Sequence, residues 1–144
     1  MIEFCYKNKK YEFQTYLIGK IQIKNILMAA LAAQKSGLSF KQILSAIARI
    51  KPVNGRLEKI GMIKNKSSVI LDYAHTPDAL KTCLKNLKEQ FKGSKISIVF
   101  GCGGNRDKPK RAMMGAIANN YCDRVYLTDD NPRWEDPHKI RQAI

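Results

Sequence analysis

Apolar and polar positions along the chain follow two different rhythms. Residues 1–18, "MIEFCYKNKKYEFQTYLI", alternate loosely, with Tyr, Phe and Ile on either side of an Asn-Lys turn, and this pattern predicts a β-hairpin. A lone hairpin cannot bury its apolar face, so it is a poor opening for a domain. Ile21, Leu27, Met28, Leu31 and Ala32 then fit one face of a helix. At Ser39 the Ser-x-x-Gln spacing to Gln42 forms a capping box, which starts a second helix carrying Ile43, Leu44 and Ile47 and ending at Pro52. The stretch "KPVNG" is the expected boundary, dividing the chain into a domain over 1–53 and a second over 54–144.

Beyond it, strands alternate with helices. "LEKIGMI" and "SSVILD" read as strands around a turn at Asn65. "TPDALKTCLKNLKEQF" reads as a helix with Thr76 as N-cap and Pro77 in its first turn. Leu80, Cys83, Leu84, Leu87 and Phe91 recur at three and four, giving that helix one buried stripe. "KISIVF" is a strand, "PKRAMMGAIANNY" a helix and "DRVYLT" a strand, and a last helix opens at Asp136-Pro137. The near-continuous apolar runs "VILD", "SIVF" and "VYLT", each joined to the next through a helix, predict a parallel sheet covered on both faces, its three strands pointing the same way.

In such sheets ligands sit beyond the carboxyl ends of the strands. Those ends carry "DYAHTPD", "GCGGNRDKPKR" and "DDNPRWEDP". Each has a plain structural reading as well. Asp72 suits an Asx turn, His75 an exposed loop, the Gly101–Gly104 run a tight turn, and Asp130-Asn131-Pro132 an ordinary turn. Arg106 is presented from the glycine-rich loop. Arg133 sets the last stretch apart, because a guanidinium grips a carboxylate through two parallel hydrogen bonds. Acid and arginine side by side suit a ligand with an amine at one point and a carboxylate at another.

Composition narrows the options. The formal net charge of +14 raises the question of a nucleic-acid reader. The lysines are scattered, however, and no RNP-like or zinc-finger spacing accompanies them. A basic nucleic-acid-binding domain is therefore the lesser alternative, and a solvated lysine-rich surface or a site for anionic substrates the plainer one. The four cysteines, Cys5, Cys83, Cys102 and Cys122, include no C-x-x-C pair. They are expected to pack as small apolar residues, with Cys102 the one placed near a ligand. No apolar run is long enough to cross a bilayer and no signal peptide is visible, so a cytoplasmic protein without membrane contact is expected.

Taken together, "DYAHTPDAL", "VFGCGGNRDKPKR" and "TDDNPR" resemble, in their order and spacing, the Mur ligases, the ATP-dependent amide-forming enzymes of peptidoglycan synthesis. The resemblance covers nearly the whole chain. "LIGKIQIKNILMAALAA" is similar to the end of the family's central ATPase domain, "NGRLE" to its junction, and the rest to its C-terminal domain. It implies an α/β fold: a Rossmann-like C-terminal domain with a mostly parallel sheet, preceded by the tail of an α/β central domain.

The resemblance also implies roles. Asn25 and Arg56 match positions that contact the adenine and ribose of ATP, Asp72 matches another nucleotide-side position, and His75 is a further nucleotide-side candidate. Arg106 matches the arginine that meets the incoming amino acid. Asp130, Asn131, Pro132 and Arg133 match the D-N-P-R motif of members that add meso-2,6-diaminopimelate, whose extra carboxylate Arg133 would satisfy. The implied reaction joins that diamino acid to UDP-N-acetylmuramoyl-L-alanyl-D-glutamate through an acyl phosphate, with ATP and Mg²⁺, in a monomer. No G-x-x-x-x-G-K-[ST] phosphate loop occurs in these residues. The chain is therefore expected to be a fragment of a longer reading frame, inactive as a ligase alone. A non-catalytic amino-acid- or nucleotide-binding module is the other alternative.

Overall fold

The computed structural model describes all 144 residues apart from the side chain of Asn65. It comprises two compact units, Met1–Asp72 and Tyr73–Ile144. The first opens with strands β1 (Ile2–Tyr6) and β2 (Lys9–Phe13), an antiparallel hairpin in the register Ile2 to Phe13 and Tyr6 to Lys9. Lys7 and Asn8 link them with φ of 46° and 60°, the pair of positive values that a two-residue turn needs to match the twist of the strands. The hairpin is not stranded. Its Phe4, Tyr11 and Phe13 close on Phe40 and on helices α1 (Lys20–Lys35) and α2 (Phe40–Ile47), around buried Phe13, Ile26, Ala30, Ile43 and Ile47.

Helix α1 buries a different stripe from the one expected. Ile26 and Ala30 are buried, with Ile23, Leu27 and Ala33 beside them, whereas Ile21, Met28 and Leu31 are exposed. The helix is apolar nearly all round, so its own pattern does not select a face. The hairpin's bulky rings select the small Ala30 and Ala33. Helix α2 starts as expected: Ser39 Oγ accepts from Gln42 N and the Gln42 side chain returns the bond. It stops at Ile47, ahead of Pro52.

Strands β3 (Glu58–Ile63) and β4 (Ser67–Leu71) pair antiparallel across a 3-10 turn at Lys64–Lys66. The turn expected at Asn65 is there, and its side chain lies outside the described residues. Strand β4 was expected beside "SIVF" in a parallel sheet. It pairs with β3 instead, because a three-residue link satisfies its backbone locally.

The second unit holds the parallel pairing. Helix α3 (Pro77–Gln90) is capped by Thr76, and Leu80 and Leu84 are buried on its inner stripe. Strand β5 (Ser97–Phe100), helix α4 (Pro109–Tyr121) and strand β6 (Arg124–Leu127) follow, then helix α5 (Pro137–Gln142), capped by Asp136. Strands β5 and β6 run parallel, Ser97 opposite Arg124 and Phe100 opposite Leu127. Asp123 clamps one end of the pair, its Oδ2 accepting from Ile96 N at 2.8 Å, and Thr128 N closes the other on Phe100 O at 3.0 Å. Ile98 and Phe100 face a core of Leu80, Leu84, Cys102, Met114 and Ile140. Val99 (68% exposed) and Tyr126 (51%) lie on the other face, so among the described residues this sheet is covered on one side, not both. Of the cysteines only Cys102 is fully buried, and Cys5, on an outward position of β1, is exposed rather than packed.

The loops after β5 and β6 are longer than the strands that carry them and are held by side chains. Arg111, on α4, is 3% exposed. Its Nη1 and Nη2 donate to the Glu135 carboxylate at 2.9 and 3.0 Å, and Nη2 also donates to Gly103 O at 3.2 Å. Its Nε, buried, has no partner. Glu135 takes a further bond from Asn105 N. The Arg111 hydrogen bonds hold the Glu135 carboxyl well below the usual carboxylate range, at about 2, and Glu135 in turn raises the Arg111 pKa.

Two outcomes follow. Met114→Ala, which hollows the second unit's core, should lower unfolding free energy by about 2–5 kcal/mol in urea titration. Glu135→Gln should destabilise the chain most above pH 4.5, where the wild-type carboxylate is ionised in both folded and unfolded chains. The gap between the two proteins should narrow as pH falls towards about 2, where the folded carboxyl takes its proton, as thermal melts across that range will show.

Candidate functional site

Two clusters gather the residues singled out in the sequence, one in each unit. In the first unit, Asn25 is exposed on α1 and its Nδ2 donates to Gln22 Oε1 at 3.3 Å. Gln22 Nε2 in turn donates to the Arg56 carbonyl at 3.1 Å. One glutamine therefore bridges the two expected nucleotide-side positions. Sequence reading passed over Gln22, although its spacing of three from Asn25 on a helix places both on one face. Asp72, at the end of β4, accepts from Leu57 N at 2.9 Å, which supports Leu57 at a φ of 48°. Glu58 likewise accepts from Gly55 N at 2.7 Å. The junction "NGRLE" is thus held by carboxylates on its own backbone amides.

His75 belongs to the second unit. Its ring packs edge-on to Tyr73 at 5.1 Å, and its carbonyl accepts from Lys110 Nζ at 2.9 Å, tying the "DYAHTPD" loop to α4.

The amino-acid-side residues meet where β5 and β6 end. Gly104 N donates to Asn131 O at 2.9 Å, and Arg133 Nη1 donates to Gly104 O at 2.7 Å. The glycines are required by this contact. A Cβ on Gly104 would overlap the Pro132 carbonyl, and one on Gly103 would come within 2.9 Å of Arg133 Nη1 and 3.8 Å of Asp130 Oδ2. The neighbouring loop makes this close approach. Asn131 closes an Asx turn, with Arg133 N donating to its Oδ1 at 3.1 Å. Arg133 itself sits at a φ of 52°, which costs a non-glycine residue on the order of 1–2 kcal/mol.

Asp130 and Arg133 both lie beside Gly103 yet form no ion pair with each other among the described residues. Asp130 Oδ1 accepts from Asn131 N, and only Nη1 of Arg133 is engaged. One carboxylate oxygen and two guanidinium nitrogens, Nε and Nη2, remain for a ligand. Arg106 is exposed on the same glycine-rich loop, and its side chain makes no hydrogen bond or ion pair among the described residues. Trp134, the chain's single tryptophan, is 94% exposed beside Arg133, its backbone N–H donating to Asn105 Oδ1 at 3.1 Å. Buried Cys102 lies beneath this loop, 4.0 Å from Met114 Sδ, and burial pushes its thiol pKa up, which suits packing and not nucleophilic attack. Sequence reading did not single out Arg111 and Glu135, although both fall within the strand-end stretches "GCGGNRDKPKR" and "DDNPRWEDP".

Asn25 and Arg56, expected on the nucleotide side, are thus brought together through Gln22. Among the described residues, no three His, Cys, Asp or Glu side chains cluster to hold a metal, and no helix is long and apolar enough to cross a membrane.

Known proteins resemble this chain over most of its length. The profile described as "Mur ligase, glutamate ligase domain" matches residues 55–144. A UDP-N-acetylmuramoyl-L-alanyl-D-glutamate--2,6-diaminopimelate ligase of Rickettsia bellii is 46% identical over 144 residues, 99% of this chain. This chain spans 30% of that relative's length. A solved structure of a ligase of the same name superposes with a TM-score of 0.63 at 32% identity, covering 98% of this chain and 28% of its own. Folylpolyglutamate synthetase from Lactobacillus casei shares the fold, with a TM-score of 0.66 at 21% identity over 98% of this chain and 35% of its own. The α/β units, the glycine-rich loop packed on the D-N-P-R loop, and a match over most of the chain lead to one conclusion: this chain belongs to the Mur ligase family.

Proposed function

We propose that the chain is the amino-acid-binding part of an ATP-dependent ligase that adds meso-2,6-diaminopimelate to UDP-N-acetylmuramoyl-L-alanyl-D-glutamate in the cytoplasm. The observation that carries the reading is that Asp130 and Arg133, both within 4 Å of where a Cβ on Gly103 would stand, form no ion pair with each other among the described residues. The Arg133 side chain is held by Gly104 O and Asp130 by its own turn, so the proposed slot has one group of each charge beside Gly103. Diaminopimelate has an amino-acid head at each end, whereas lysine has only an amine at its far end. The amine of such a head suits Asp130, its carboxylate suits Arg133, and Arg106 lies on the adjoining loop for a second anionic group. Against lysine the Arg133 donors are left without a carboxylate, and the difference becomes selectivity.

ATP, with Mg²⁺ screening its phosphates, supplies the activation of the dipeptide carboxylate as an acyl phosphate. Asn25, Arg56 and Asp72 are assigned to the nucleotide side, with His75 as a further contact. The D-N-P-R loop's part is to bind and orient the amino acid so that its free amine attacks the activated carbonyl, with inorganic phosphate leaving and the amine giving up a proton. The names of relatives carrying this stretch as 29% or 30% of their length support the reading. The domain division proposed is 1–53 for the tail of the central domain and 54–144 for the C-terminal domain, and the functional form is a monomer.

Trp134, exposed beside the slot, makes its fluorescence a direct reporter of binding. Titration of the chain should show meso-2,6-diaminopimelate bound in preference to L-lysine, and Arg133→Ala should cut that preference about tenfold to a hundredfold. Equal affinity of the wild-type chain for the two amino acids would overturn the reading of the slot. Incubated with ATP, Mg²⁺, the UDP-linked dipeptide and diaminopimelate, these 144 residues alone should form no amide by chromatography, because they contain no phosphate loop.

A further inference from the structure

We propose that Arg111 and Glu135 are positioning residues for the amino-acid slot, setting its selectivity through the peptide that seats Arg133. The inference deepens the reading above and rests on it.

Three consecutive residues of the glycine-rich loop are each held by a different partner. Gly103 O takes Arg111 Nη2 at 3.2 Å, Gly104 O takes Arg133 Nη1 at 2.7 Å, and Asn105 N donates to Glu135 Oε1. The two outer contacts belong to one ion pair between buried Arg111 and half-buried Glu135, which closes on itself through Arg111 Nη1 and Glu135 Oε2 at 2.9 Å. Gly104 therefore lies between two points fixed by a single guanidinium–carboxylate fork. Glycine has no side chain of its own to hold that peptide, and none can be added, since a Cβ there would overlap the Pro132 carbonyl.

The pair also holds the loop that carries Arg133. Glu135 N donates to Pro132 O at 3.0 Å, enclosing Arg133 in a turn that begins at Pro132 and ends at the clamped residue. Both the seat of the guanidinium and its own backbone are thus referred to the same fork. Arginine is the residue for this task. Its planar fork reaches a carboxylate and a carbonyl together, whereas the single ammonium of a lysine cannot reproduce both directions. Neither Arg111 nor Glu135 has to touch the amino acid for this to matter. A displacement of about 1 Å in a positioned donor is enough to change recognition.

Destabilisation and positioning predict different readouts. A variant that merely unfolds part of the chain weakens apparent binding of every amino acid by the same fraction, leaving the affinity ratio untouched. A displaced Arg133 changes the ratio. The experiment compares wild type, Glu135→Gln and Arg111→Lys, the last keeping its charge so that one variant retains the fold. Trp134 fluorescence gives affinities for meso-2,6-diaminopimelate and L-lysine. Nitrogen-15 NMR of the unliganded chain reads rotation of the Arg133 guanidinium, and the Leu84 and Met114 methyl signals report an intact core.

The expected result is a discrimination ratio reduced at least about tenfold in both variants, with L-lysine affinity little changed and the Arg133 guanidinium turning freely where it was restrained. A folded variant that keeps the wild-type ratio and a restrained Arg133 overturns the inference while leaving the slot reading in place. If the wild-type chain does not discriminate, the slot reading fails and the NMR arm decides alone: a guanidinium freed in the variants supports the seat, and one still restrained overturns it.

Discussion

The Arg111–Glu135 pair is the constraint around which the second unit's strand-end loops are arranged. A guanidinium buried to this degree is costly without a carboxylate, because its lost hydration has to be replaced by hydrogen bonds. The chain meets that need by folding the loop after β6 back onto α4. The return brings Pro132 against Gly104 and places Arg133 over the glycine-rich loop. The β5–β6 ladder is only four residues long on each strand, too little to hold the longer loops beyond it. Side-chain bonds across the loops do that instead.

This arrangement changes what the glycine-rich run means. In many α/β proteins such a run lets the backbone approach a phosphate. Here the neighbouring loop packs against Gly103 and Gly104, and the side chains of Asp130 and Arg133 both lie close to Gly103. The site is made by one loop packed into another. The left-handed backbone of Arg133 is consistent with that, since three hydrogen bonds hold a conformation that its own side chain disfavours.

Much of the local structure was legible beforehand. Ser39–Gln42, Thr76–Pro77 and Asp136–Pro137 start helices as their spacing predicts, and the inner stripe of α3 faces the core. The D-N-P-R stretch and the glycine-rich run were both marked, and they meet. What was misread has a common cause. The face of α1 was set by rings on a hairpin, the partner of β4 by a three-residue turn, and the open face of β5–β6 by the absence of a covering helix among the described residues. Each depends on what packs opposite, which a periodicity does not contain.

The amino-acid sequence by itself determined where elements start and stop, since caps, prolines and i, i+4 patterns act within a few residues. It also placed Asp130 and Arg133 together, because they are three residues apart in one turn. Only the tertiary structure decided that they stand unpaired. That outcome depends on Gly104, 29 residues from Arg133, offering its carbonyl to the guanidinium, and on Arg111 reaching Glu135 across 24 residues. Contacts of that separation are chosen by burial and hydrogen-bond satisfaction over the whole unit, and neither residue of such a pair carries its partner's identity in its own neighbourhood.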